Sequence, residues 1–193
     1  ASIVLTVSEH SRRDLITTLG LDPTKVLVTS NGLDPAMARP LSASRAAALR
    51  RALGLHKPYV LCSGAADRRK NIDRLIQAFA RARKGPLAQA ELVICSLRPG
   101  ELETTGYAHS ARQAGLSDAI RVLGYVDDEQ MKALYQGAQV YAFPSLWEGF
   151  GLPLLEAFSL GAPVLAARAG ALPEVAGQGA RLADPLSVAD LAE

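Results

Sequence analysis

PSLWEGFGLPLLEAFSLGAPV, residues 144–164, is the stretch from which the rest of the chain is read. It follows the apolar run QVYAF (139–143) and passes through a loop holding Gly149 and Gly151 into a helical pattern that opens near Leu152. Pro153 suits the first helical turn, because its missing N–H would have no intrahelical partner there. The glycines let the backbone turn sharply and come close to a ligand. A strand that leads this way into a helix delivers backbone N–H groups and the positive end of a dipole to the carboxyl edge of the sheet, where phosphate is favoured. Glu148 lies in the loop and Glu156 in the helix, so one carboxylate can reach beyond a phosphate while the other stays beside the helix. Carboxylates accept hydrogen bonds from hydroxyls, which suits sugar and ribose rings. Glu156 fits equally a capping acid stabilised by the dipole, and Phe150 fits a core or lid aromatic as well as a stacking one.

Outward from this stretch, short apolar runs alternate with helical patterns. The runs at 3–7, 26–29, 59–63, 92–96, 121–123, 139–143, 162–167 and 180–183 are nearly continuous hydrophobics, as strands buried on both faces are. Helical spacing recurs at 9–19, 42–53, 71–84 and 128–137. The pattern predicts an α/β fold built on a doubly wound parallel sheet. Gly, Asp-Pro and Arg-Pro punctuate NGLDPAMARPLSAS (31–44), which divides the chain into a βαβ remnant, residues 1–35, and a larger unit, residues 36–193. The first residues form a strand-like run without an initiating Met or a signal-peptide pattern, and LSVADLAE (186–193) stops after about two turns. Both ends read as cut from a longer protein.

Two further strand-to-helix stretches carry polar chemistry. CSGAADRRKNIDRLIQAF (62–79) sets Gly64 in a loop followed by Arg68, Arg69 and Lys70, a local group of cations that could neutralise a leaving diphosphate or form a solvated basic turn. Asn71 is placed to cap the helix that follows. In RVLGYVDDEQMKALYQGA (121–138), Asp127 or Asp128 caps a helix with Gln130 nearby, leaving Tyr125 and Val126 in an exposed loop whose backbone could pair with a base edge, or in an ordinary turn.

The remaining features exclude other classes. The 193 residues hold 21 Lys and Arg against 19 Asp and Glu, so a net charge of +2 supplies no general field for nucleic acid. The longest uncharged stretch, 133–147, is interrupted by polar residues and falls short of the roughly 20 apolar residues of a membrane-spanning helix. Cys62 and Cys95 lie in apolar runs without metal-ligand spacing and read as buried free thiols. His10, His56 and His109 have no spacing partner, and GxSxG, HExxH and GxGxxG are all missing.

Taken together, these residues resemble the nucleotide-sugar-binding half of a GT-B glycosyltransferase, specifically the retaining enzymes of glycosyltransferase family 4. The family's Glu-x7-Glu motif is matched by Glu148-Gly-Phe-Gly-Leu-Pro-Leu-Leu-Glu156, with GYVDDEQMKALYQGAQVYAFPS before it and GAPVLAARAGALPEVAG after it. The resemblance implies that Glu148 contacts hydroxyls of the donor sugar and Glu156 holds the ribose. Gly149, Phe150, Gly151 and Leu152 then line the sugar and phosphate, Arg69 and Lys70 neutralise the diphosphate behind Gly64, and Tyr125 with Val126 border the base. SEHSRRDL (8–15) and VTSNGLDP (28–35) resemble the end of the acceptor-side domain, whose active-site His lies outside this chain, so His10 is not given that role. Two departures stand out: Ala65 follows Gly64 where many members carry Arg, and Ser96 stands where a glycine often ends the strand.

The implied activity is retaining transfer of a sugar from a GDP- or UDP-sugar to a glycan or lipid-linked acceptor, with no cofactor and no obligatory metal. The RKN sequence at 69–71 hints at mannose. The resemblance also implies a cytoplasmic location, with peripheral attachment at the inner membrane face left open. A binding module without turnover and a sugar-nucleotide epimerase of related fold are the alternative readings.

Overall fold

The continuous apolar runs become strands whose two faces are both covered by helices. The computed structural model describes residues 2–64, 67–97, 100–101 and 106–193; Ala65 lies outside them. Strand β1 (Val4–Thr6), helix α1 (Glu9–Leu19) and strand β2 (Val26–Val28) form a two-stranded parallel sheet of their own. Helix α2 (Ala43–Ala52) leads into the series β3 (Tyr59–Ser63), α3 (Ile72–Ala82), β4 (Glu91–Cys95), α4 (Tyr107–Gln113), β5 (Ile120–Leu123) and α5 (Asp128–Gly137). It continues through β6 (Val140–Phe143), α6 (Leu152–Ser159), β7 (Val164–Ala167), α7 (Leu172–Ala176), β8 (Arg181–Ala183) and α8 (Val188–Ala192). The six later strands form one parallel sheet in the order β5-β4-β3-β6-β7-β8, the doubly wound arrangement expected from the sequence. The order reverses between β3 and β6, and such a reversal opens a crevice at the carboxyl ends of those strands.

Side chains along β3 alternate between two cores. Leu61 joins Cys95, Val126, Leu134, Tyr135, Tyr141 and Leu154 on one face. Val60 and Cys62 join Ile72, Leu75, Ile76 and Phe79 on the other, so the spacing read in α3 marks its buried face. A fully buried Leu or Ile contributes roughly 1.5–3 kcal/mol, which is why these positions tolerate few polar residues. The two cysteines are free, and burial pushes both thiols up to about 12.

Local signals set most helix ends. Gly20 stops α1 in the left-handed region at φ 64°. Asp127 and Gln130 form a reciprocal capping box on α5, with bonds of 2.8 and 3.0 Å. Asn71 departs from its expected capping role. It precedes α3 at φ 58°, and its side-chain amide turns away to donate to the carbonyls of Pro144 (3.1 Å) and Pro185 (2.7 Å). A buried tie between three loops outweighs one helix N–H. Helices α4 and α7 are seven and five residues long, too short for periodicity to announce them. Among the described residues no helix is long and apolar enough to cross a membrane.

Asp127→Ala should lower unfolding stability by about 1 kcal/mol in urea titrations, the usual worth of a cap. Asn71→Ala should cost more, about 2–3 kcal/mol, because it strands two buried carbonyls.

Candidate functional site

The crevice is stitched together from both sides of the strand reversal. After β3, a 3-10 turn at Arg68–Lys70 presents the carbonyl of Arg69 to the N–H of Leu146, 2.7 Å away in the loop after β6. Asn71 holds the neighbouring Pro144 of that loop. Lys70 Nζ then reaches Glu148 Oε1 at 2.7 Å and lies 5.4 Å over the ring of Phe143. The aliphatic stem of Lys70 passes across Gly64, where a Cβ would sit only 3.1 Å from Lys70 Cγ. Gly64 therefore makes room for the cation. Arg69 is turned aside: its Nε and Nη2 donate to Asp67 Oδ2 at 2.9 and 2.6 Å, and this pairing raises the guanidinium pKa and lowers that of the Asp67 carboxyl. Of the two cations expected at the phosphate, Lys70 meets the motif glutamate and Arg69 meets Asp67.

The backbone around Glu148 is fixed by close approach. Ala171 N–H donates to the Glu148 carbonyl at 3.0 Å, and a Cβ on Gly170, at φ +59°, would fall 2.7 Å from that same oxygen. Gly151 adopts φ +108° just before α6, with Leu172 packed where its Cβ would be. Ser8, fully buried, donates to the carbonyl of Gly149 at 2.7 Å, and Ser11 does so at 3.3 Å. Glu174 accepts from the N–H groups of Glu9 and His10 at 2.9 and 3.1 Å, at the positive end of α1. The two-stranded unit is thus docked against the loop that carries Glu148. Phe150 is half-buried in this loop, Leu152 is exposed at the start of α6, and the first-turn N–H groups of a helix have no intrahelical acceptor.

Glu156 lies at the far end of a buried aromatic row. Tyr135 donates its hydroxyl to Glu156 Oε2 at 3.0 Å and meets Tyr141 edge-on with ring centres 5.0 Å apart. Tyr141 stacks on Phe143 at 5.8 Å and shares a 2.6 Å hydrogen bond with Ser63. The row therefore links Glu156 to Phe143, over which the ammonium of Lys70 lies. Burial holds the Glu156 carboxyl above the ordinary carboxylate range, against the opposing pull of the Tyr135 hydroxyl and with Asp128 adding repulsion. Tyr125 is 92% exposed, as expected, but Val126 is only 8% exposed. The expectation that both stand in the open is corrected for Val126, whose side chain joins the core cluster of Leu61 and Tyr135 and anchors the loop.

Sequence reasoning passed over Tyr135, Tyr141, Ser63, Asp67, Ser8 and Glu174. The tyrosines read as core, and their signal was a hydroxyl carried where phenylalanine would pack as well. An apolar groove of about 390 Å3, lined by Leu75, Phe79, Val140, Val164 and Leu191 among others, is separate from this site; none of Lys70, Glu148 and Glu156 lines it. Among the described residues no three His, Cys, Asp or Glu side chains are grouped to hold a metal ion.

Known proteins resemble this chain in sequence and in fold. The family model described as glycosyl transferases group 1 matches residues 47–193. The O-antigen chain mannosyltransferase B of Escherichia coli is 31% identical over 188 residues, which are 97% of this chain and 49% of that protein. The MMP alpha-(1->4)-mannosyltransferase of Mycolicibacterium hassiacum is 33% identical over 97% of this chain and 43% of its own length. Among solved structures, Anabaena HepE in complex with UDP and glucose superposes with a TM-score of 0.86 at 27% identity, covering 100% of this chain and 52% of that one. The chain thus spans about half the length of the relatives it matches.

Gly170→Ala should cost at least about 2 kcal/mol in chemical denaturation, since strain at positive φ and a backbone collision coincide. Glu156 is raised above its unfolded value, so the neutral carboxyl's advantage is present below the ordinary carboxylate range and is lost as pH rises through the raised pKa. Glu156→Gln should therefore raise the melting temperature at neutral pH, with the difference from wild type disappearing in acid.

Proposed function

The chain belongs to the glycosyl transferases group 1 family, and from that premise we propose that its crevice binds the nucleoside-diphosphate sugar of a retaining transfer reaction. The observation that carries this reading is the pairing of Lys70 with Glu148 at the strand reversal, beside the start of α6. A diphosphate seated against the first-turn N–H groups of α6 takes the ammonium of Lys70 as its counter-charge. Glu148 is then released to accept hydroxyls of the sugar, and Glu156 accepts those of the ribose. As the glycosidic bond to phosphate breaks, negative charge grows on the diphosphate and positive charge on the sugar ring. Lys70 and the helix amides stabilise the first and the carboxylate of Glu148 faces the second. Arg69 adds to the phosphate side by exchanging Asp67 for the ligand, and Tyr125 borders the base. None of these steps requires a metal or cofactor.

The mannosyltransferase relatives support GDP-mannose as donor. The HepE complex favours a UDP-sugar instead. We assign the acceptor, a glycan or lipid-linked saccharide, to the half of the protein beyond this chain, and residues 1–35 to the edge of that half. Their separate two-stranded sheet and their docking through Ser8 and Glu174 support this division. A cytoplasmic enzyme with peripheral attachment at the inner membrane face completes the reading.

Calorimetric titration of the chain with GDP, UDP, GMP and UMP tests the site. One diphosphate should bind more tightly than its monophosphate, and Lys70→Ala should weaken diphosphate binding roughly tenfold, a loss of about 1.4 kcal/mol, while changing monophosphate binding little. Equal binding of the two classes, or an indifferent Lys70→Ala, would overturn the assignment. NMR of the product formed by the longer protein from GDP-mannose reads the anomeric configuration. Sugar-nucleotide interconversion without acceptor would point to an epimerase.

A further inference from the structure

We infer that Tyr135 is a positioning residue for the nucleotide's sugar: its buried hydroxyl holds one oxygen of Glu156 so that the other is presented to a ribose diol. This rests on the reading of Glu156 given above and adds to it a residue, a fixed geometry and a selectivity. Tyr135 is 1% exposed, yet its hydroxyl is aimed at Glu156 Oε2 at 3.0 Å. Its ring is clamped edge-on by Tyr141, whose own hydroxyl is taken by Ser63. The donor therefore comes from a side chain with no freedom to leave, while the carboxylate sits on the surface of α6.

The chemistry follows from the hydrogen-bond inventory. Burial keeps the Tyr135 phenol protonated far above its ordinary range, so it donates at every physiological pH. An ionised carboxylate accepts at both oxygens. With Oε2 engaged, the rotamer of Glu156 is set and Oε1 keeps its lone pairs for two vicinal hydroxyls. A mobile, half-buried glutamate would instead pay rotamer entropy on binding and would be protonated more readily. The groups facing the Glu156 carboxylate are the Tyr135 hydroxyl and Asp128, both contributed by α5. Phenylalanine at 135 would fill the same core and leave the carboxylate without its donor. A structural brace between α5 and α6 would survive that change through packing; an oriented acceptor would not.

The experiment compares wild type, Tyr135→Phe and Glu156→Gln by calorimetry, using GDP and UDP and their 2′,3′-dideoxy counterparts across pH. Glu156→Gln should weaken the ribonucleotide that binds and largely spare its dideoxy analogue. Tyr135→Phe should weaken the ribonucleotide about tenfold to twentyfold, the lower part of the range for a hydrogen bond to a charged group, and should shift the acid limb of binding to higher pH. The dideoxy analogue should bind both Tyr135→Phe and wild type alike. If Glu156→Gln leaves ribonucleotide binding unchanged, the reading of Glu156 fails. If Glu156→Gln weakens binding while Tyr135→Phe moves neither ribose selectivity nor the acid limb, the role of Tyr135 alone is overturned. A crystal structure with the bound nucleotide decides the case if Tyr135→Phe does not fold. Tyr135 on Oε2 with a ribose hydroxyl on Oε1 supports the inference, and Tyr135 parted from Glu156 refutes it.

Discussion

The seam between β3 and β6 is the constraint from which the site follows. Two parallel strands can be hydrogen-bonded neighbours while their following helices depart to opposite faces, and the loops leaving them then diverge and leave a crevice. Three bonds hold that crevice to a definite width: Leu146 to the Arg69 carbonyl, Asn71 to the Pro144 carbonyl, and Lys70 to Glu148. The first two engage backbone groups that water would otherwise have to satisfy. The third is of a different kind. Lys70 and Glu148 are each only about a quarter exposed or less, and a pair so placed trades desolvation against attraction with little net gain. A pair of that kind is suited to exchange partners, which a diphosphate and a sugar would ask of it.

Glycine supplies the close approaches. Gly64 gives Lys70 its path, and Gly170 lets a turn press against the backbone of Glu148. Together with Ser8 and Ser11 on the Gly149 carbonyl, these contacts fix the Glu148 loop through its main chain. The side chains above it can then change partners without the loop itself moving. Glu174 of α7 extends the same idea, so α1 is tied to the glutamate loop by two hydrogen bonds and to α7 by two more.

Much of this was legible in the chain. Strands buried on both faces write themselves as uninterrupted apolar runs, and among the described residues each of the eight strands begins and ends within two residues of its run. The cap at Asp127, one of the two aspartates the sequence offered, is local chemistry and was equally plain. The meeting of Lys70 with Glu148 was not contained in spacing, since 78 residues separate them; the family resemblance set the two around one donor without pairing them. Asn71 and Val126 were misplaced for one reason. Each side chain answers to distant neighbours, the carbonyls of Pro144 and Pro185 in one case and a core cluster in the other. Ser96 is instructive in the opposite sense. It was marked as standing where glycine is often found, and it adopts φ 71°, the backbone region that favours glycine.

Hydrogen exchange of the backbone amides, followed by mass spectrometry with and without saturating GDP or UDP, addresses the crevice most directly. Slowed exchange confined to residues 68–70 and 148–156 on adding one of the two nucleotides is the expected result. Slowed exchange centred instead on the apolar groove beside α3 and α8, with the 148–156 segment unchanged, would contradict a diphosphate site at the β3–β6 seam.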